Sequence, residues 1–226
     1  MRYAARMKAG PGSVGKGSSA QERQQWRATY EGTAYHELPW FDPGPSASVR
    51  LAVSSHFFPP EGSVVDVGCG AGSNVLFLAK KGYRAYGVDL APGAIAAARA
   101  RAKRARVSAT FQEGDALDLP FADGHLDGAV DHGCFHTLPV ARREDYAAEV
   151  HRVLRPDGRF MLAWVAREHT EGFGPPHRPS LREVTEAFES RFQFLRTGFY
   201  PTSDATGPAS YFAFLARRVT PQPPPR

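Results

Sequence analysis

From residue 64 onward, short β-branched and apolar runs alternate with Ala/Leu-rich stretches of helical period. VVDVG (64–68), RAYGVDL (84–90), SATFQEG (108–114), LDGAVDH (126–132) and GRFMLAWVA (158–166) read as strands. SNVLFLAKKG (73–82), PGAIAAARARAKRA (92–105) and ARREDYAAEVHRVL (141–154) read as helices. Strand–helix alternation predicts a parallel sheet with helices on its faces. A helix at SLREVTEAFES (180–190) and strands RFQFLRTGFY (191–200) and SYFAFLARR (210–218) follow. The intervening PTSDATGPA is too short for a helical crossover, so this last pair should be antiparallel. The expected fold is α/β: a Rossmann-like, doubly wound, mostly parallel seven-stranded sheet with an antiparallel C-terminal strand.

The polar ends frame this core. Residues 1–18 are rich in Gly, Lys and Arg and residues 219–226 end in prolines, so both are expected to be disordered tails. SSAQERQQWRATY reads as a short helix started by Ser18 or Ser19, followed by the Pro/Gly-broken HELPWFDPGPSASV. Residues 19–60 thus form a helical appendage or lid, and residues 61–218 form the core.

With 226 residues, 42% hydrophobic and 12% aromatic, the chain has the apolar surface for one folded domain with extensions. The two cysteines, Cys69 and Cys134, lack metal-ligand spacing, which argues for a reducing compartment and against structural zinc. No apolar stretch is long enough to span a membrane and no secretory core opens the chain, so a cytoplasmic setting is expected. The net charge of +5 comes largely from the N-terminal tail and from Arg99, Arg101, Lys103, Arg104 and Arg106. Alanines interleave with those five, which reads as a solvated helix face rather than a polynucleotide track.

The chemistry-bearing signal is VVDVGCGAGSN, in which an apolar strand runs into Gly68, Gly70 and Gly72 and then into a helix that Ser73 can cap. Residues without Cβ allow left-handed backbone and close approach of a ligand, while the helix start offers free N–H donors. The next strand ends in Asp89, where nucleotide-binding α/β folds place an acid for ribose hydroxyls; helix capping is a compatible second use. GDALDLPF places Asp115 at the end of the third strand, able to accept from an adenine amine or to close an Asx-turn. The fourth strand delivers Asp131, His132, Cys134 and His136 to the same sheet edge. Either histidine could be an acid–base group or a hydrogen-bonded structural one, and Cys134 has no visible base to make it a nucleophile.

Taken in order, DVGCGAG, GVDL, GDALDLPF, LDGAVD and HRVLRPDGRFML resemble class I S-adenosylmethionine-dependent methyltransferases over roughly residues 35–217. Within that class, LPWFDPGPS and VDHGCFHTL resemble the thiopurine S-methyltransferase-like group of small-molecule enzymes. The resemblance implies S-adenosyl-L-methionine as cofactor, with Gly68, Cys69 and Gly70 along its methionine part. It further implies Asp89 and Leu90 at the ribose, Asp115 and Ala116 at adenine, and Asp131 and His132 flanking the methionine end. Trp40 would cover the cofactor, with Trp26, Tyr30 and Tyr35 as wall or lid residues or as ordinary packing.

The expected reaction is methyl transfer to a small-molecule S-, O- or N-nucleophile, with His132 or His136 as base where the acceptor needs one. A nicotinamide enzyme would place its third glycine one residue later, as G-x-G-x-x-G, and would bring a separate substrate domain. A nucleic-acid methylase would suit the charge, but DHGCFH departs from the Asn/Asp-Pro-Pro-aromatic pattern and no RNA-binding module is appended. A non-catalytic cofactor-binding protein is the third alternative. Acceptor contacts are expected from the N-terminal appendage and from REHTEGFGPPHRPS (167–180).

Overall fold

The computed structural model describes residues 18–165, 177–200 and 210–219. The expected tails and the 167–180 lid therefore lie outside the described residues, apart from Ser18, Val219 and residues 177–180. Seven strands form one sheet in the order β3-β2-β1-β4-β5-β7-β6. They are β1 (Ser63–Val67), β2 (Arg84–Asp89), β3 (Thr110–Glu113), β4 (Leu126–His132), β5 (Leu154–Val165), β6 (Phe192–Tyr200) and β7 (Ser210–Arg217). β1 to β5 pair in parallel, and β7 is antiparallel to both of its neighbours, β5 and β6.

The sheet carries a core on each face, so its central strands lack a polar side. All five residues of β1 are buried, as parallel strands covered by helices on both faces require. β5 shows the period of two directly: Phe160, Leu162 and Trp164 join the core with Tyr146 and Phe188, whereas Met161 and Ala163 join Phe58, Val64 and Phe111.

Among the described residues there are six α-helices: α1 (Ala20–Gly32), α2 (Ala47–Ser54), α3 (Ser73–Lys80), α4 (Pro92–Ala105), α5 (Arg143–Val153) and α6 (Leu181–Phe188). Ser19 starts α1 through a capping box with Glu22, and Ser180 does the same for α6 with Glu183. α2 was concealed in the Pro/Gly-broken segment. Ser46 caps it, and its Val49 and Ala52 are fully buried in the sheet core, so this half of the 19–60 segment is built into the fold. α1 buries no residue of its own and lies against α4.

The order reverses where β4 joins β1 on the side opposite β2. In open α/β sheets the crevice at the carboxyl ends of such strands binds ligands, and the candidate residues gather there.

Candidate active site

The loop after β1 takes a path that only glycine follows easily. Gly68, Gly70 and Gly72 have φ of 68°, 52° and 80°. A Cβ at Gly68 would sit 2.7 Å from that of Cys134, and one at Gly72 would sit 2.8 Å from the Phe111 ring. The Val88 carbonyl accepts from the N–H groups of both Gly68 and Cys69, at 2.8 and 3.0 Å, which pins the loop to β2. Cys69 is buried, and burial pushes its thiol well above the usual range. The cap of α3 is Gly72, with no side-chain bond, rather than Ser73. Ser73 is the first helical residue, and its hydroxyl donates to the Asp42 carbonyl at 2.5 Å.

Asp89 ends β2 beside this loop. Its Oδ2 accepts from Gly70 N–H at 2.8 Å and its Oδ1 from Ala91 N–H at 2.9 Å. The carboxylate therefore holds both the glycine loop and the entrance to α4, whose formal cap is Ala91. Burial raises its pKa, opposed by the backbone donors of Ala91, Gly70 and Leu90. A cavity of about 540 Å³ lies at the ends of β2 and β3, bordered by Leu90, Glu113, Arg23 and Arg27.

Asp115 is buried and bound by four donors. Ser18 N–H and Arg23 Nη2 reach Oδ2 at 2.5 and 2.8 Å, while Ser18 Oγ and Leu117 N–H reach Oδ1 at 2.9 and 3.0 Å. The Asx-turn and the tie to α1 thus share one carboxylate. Ala116 packs half-buried against the core beside it.

At the end of β4, Asp131 is fully buried. Its Oδ1 accepts from Cys134 N–H at 2.8 Å, and its Oδ2 from Phe135 N–H at 2.9 Å and Tyr146 Oη at 2.5 Å. Burial lifts its pKa to about 6 against those donors. The carboxylate shapes the turn that presents the two histidines. His132 is exposed at the edge, yet the surrounding protein lowers its pKa by desolvation, with Asp42 acting the other way. His136 folds back: its Nδ1 accepts from Val165 N–H at 3.1 Å, and burial lowers its pKa to about 3. Burial also pushes the Cys134 thiol well above the usual range, so it is no ready nucleophile.

The predicted lid aromatics meet above the loop. Trp40 is exposed and stands edge-on to Trp26 at 5.9 Å, and its Nε1 lies 3.4 Å from Tyr30 Oη. A Cβ at Gly70 would come within 3.1 Å of that same Tyr30 Oη. Tyr35 packs on Phe41 at 5.1 Å. Sequence reasoning missed Ser18, Arg23, Arg101 and Tyr146, all of which act through partners distant in the chain. It also missed Asp66, buried within β1, whose pKa is raised well above the usual range by burial and by Asp131.

A strand-to-helix glycine loop with an uncapped helix start, an acid at the next strand's end and an aromatic cover fits an adenosine carrying a short amino-acid tail. Fold and site together define a nucleoside-binding α/β enzyme of the methyltransferase type. Residues 64–158 match the methyltransferase domain family. An uncharacterized methyltransferase of Schizosaccharomyces pombe is 30% identical over 100 residues, covering 44% of this chain and 69% of that protein. The 2-heptyl-1-hydroxyquinolin-4(1H)-one methyltransferase of Mycobacteroides abscessus is 27% identical over 175 residues, covering 74% of this chain and 76% of that protein. Among solved structures, the 1,6-didemethyltoxoflavin-N1-methyltransferase of Burkholderia thailandensis, with bound S-adenosylhomocysteine, aligns with a TM-score of 0.68 at 23% identity, covering 89% of this chain and 91% of that one. The chain belongs to the class I S-adenosylmethionine-dependent methyltransferases, and S-adenosyl-L-methionine is its cofactor. Among the described residues no helix is long and apolar enough to cross a membrane, and no group of three or more His, Cys, Asp or Glu side chains could hold a metal ion.

Proposed function

We propose that the enzyme methylates a hydroxyl group on a small planar acceptor, with His132 as the proton acceptor. The observation that carries this reading is the place of His132: an exposed imidazole at the carboxyl end of β4, the sheet edge to which the glycine loop and Asp89 also lead. Such a group is neutral, and so basic, at physiological pH. When bound, S-adenosylmethionine supplies a methyl group already activated by its sulfonium and departs as the thioether. As the new oxygen–carbon bond forms, the hydroxyl proton passes to His132. A thiolate acceptor would have little use for such a base.

His136 takes a different part. An Nδ1 that accepts from a backbone N–H leaves the proton of the neutral ring on Nε2. His136 is therefore a donor at that edge, able to orient an acceptor oxygen, and the role of base falls to His132 alone. Gly68, Cys69, Gly70, Asp89, Leu90, Asp115, Ala116 and Trp40 hold the cofactor, and Asp131 supports the turn that carries His132.

The aromatic lid of Trp26, Tyr30 and Trp40 suits a flat acceptor. The hydroxyquinolinone named for the M. abscessus relative is of that kind. A sulfur acceptor is the second reading. It is favoured by the LPWFDPGPS segment, which places Trp40 and Phe41 at the lid and resembles thiopurine-type enzymes. Methyl transfer from labelled S-adenosylmethionine to matched phenols, amines and thiols tests the choice.

A further inference from the structure

We propose that Arg101 is the positioning residue that clasps the lid to the glycine loop and thereby sets how tightly the cofactor is held. This rests on the assignment of the glycine loop and lid as the cofactor site and is independent of the acceptor's identity. Arg101 Nη1 donates to the Ala71 carbonyl at 2.6 Å and to Ser73 Oγ at 2.9 Å, and Nη2 donates to the Pro43 carbonyl at 3.0 Å. The guanidinium lies over the Phe41 ring at 5.1 Å and the Tyr35 ring at 5.9 Å. The Ser73 hydroxyl completes the bridge by donating to the Asp42 carbonyl. The planar fork thus joins Pro43 of the lid to the residues on either side of Gly72, and Ser73 extends the bridge to Asp42.

Lysine cannot reproduce this geometry, because a single ammonium lacks the rigid fork and the flat face that stacks on aromatic rings. Charge-assisted bonds to carbonyls are also stronger than neutral ones. The fold has other means of anchoring α4, whose buried residues are Ala94, Ile95, Ala98 and Ala102. Arg101 is in neither core cluster. Its bonds tie the Asp42–Pro43 stretch to the glycine loop, beside the Ser46 N–H bond to Asn74 Oδ1 that joins the same segment to α3.

The test compares the full chain with Arg101→Gln, Arg101→Lys and, as a milder break of the same bridge, Ser73→Ala. S-adenosylhomocysteine binding is measured by calorimetry, and acrylamide quenching of tryptophan emission reports the lid through Trp26 and Trp40. Arg101→Gln should raise the Kd about tenfold or more, as loss of charged hydrogen bonds implies. Arg101→Lys should fall between it and the parent, and Ser73→Ala should shift in the same direction by less. In the parent, S-adenosylhomocysteine should reduce quenching, and in Arg101→Gln that protection should be lost while the thermal midpoint stays near the parent's. Folded Arg101 variants with unchanged Kd and full protection would overturn the proposal, as would a lowered thermal midpoint with unchanged Kd. Failure of the parent itself to bind S-adenosylhomocysteine would instead contradict the cofactor assignment.

Discussion

Arg23 in α1 lies 2.8 Å from Asp115 Oδ2, a contact that closes the N-terminal helix over the end of β3. Together with Ser18 and Leu117 N–H it leaves the carboxylate with four protein donors. An adenine amine reaches Asp115 only by replacing one of them. Arg23→Met, which keeps the aliphatic stem, should therefore tighten S-adenosylhomocysteine binding severalfold. Arg23 is half open to water, but Asp115 is buried and keeps three other donors, so the stability cost should be about 1–3 kcal/mol, the scale of a hydrogen bond to a charged group. Weaker binding in calorimetry would show that α1 belongs to the adenine site rather than competing with the ligand there.

Asp89 already holds Gly70 and Ala91 N–H. Asp89→Asn turns one of its two acceptors into an amine facing an N–H, so the loop and the ribose contact both suffer. Cofactor binding should weaken by about 1–3 kcal/mol, the scale of a hydrogen bond to a charged group. A lowered melting temperature with unchanged S-adenosylhomocysteine affinity would reduce Asp89 to a turn residue.

The two histidines should respond differently to substitution. His132→Gln should cost about 10²–10⁴-fold in turnover on a hydroxyl acceptor, as loss of general-base help does, with cofactor affinity preserved. His136→Gln can still accept from Val165 N–H through its amide oxygen and should lose far less. Because the pKa of His132 is lowered from its ordinary 6.5, the enzyme should keep activity to a pH below 6.5 and then decline as the imidazole takes up a proton. A rate that falls equally in both variants would contradict the division of roles.

Stability should titrate in two opposed senses. Asp131 has its pKa raised to about 6 from 3.8, so the folded state holds that proton more tightly. Its contribution is full at pH below about 4 and is lost as pH rises through 6. Tyr146 Oη favours the charged form, so Tyr146→Phe should destabilise more at pH 8 than at pH 5. His136 has its pKa lowered to about 3, so its contribution is present above pH 6.5 and is lost as pH falls below that. His136→Gln should therefore show a shallower acid-side decline in urea midpoint than the parent. Equal pH dependence in all three proteins would refute both assignments.

The sheet was legible because its signals are local. Apolar runs fixed the strands, PTSDATGPA excluded a crossover before β7, and glycine best suits the positive φ of residues 68, 70 and 72. What escaped depends on partners brought from far along the chain. The basic run of α4 reads as a solvated face, which holds for the exposed Lys103, Arg104 and Arg106. Arg101 departs from it because its carbonyl partners lie 30 and 58 positions away. His136 and His132 look equivalent in sequence, and only the arrival of Val165 N–H separates them. Asp131 reads as a ligand-facing acid, but Tyr146 and the turn N–H groups occupy its oxygens.

The central claim is hydroxyl methylation assisted by His132. It is tested most directly by the initial rate of labelled methyl transfer from S-adenosylmethionine to a matched set of hydroxylated, aminated and thiolated planar heterocycles, with the parent and His132→Gln in parallel. The account predicts the highest parent rate on a hydroxyl and the collapse of that rate in His132→Gln. Transfer confined to thiols, or a hydroxyl rate untouched by the substitution, would contradict it.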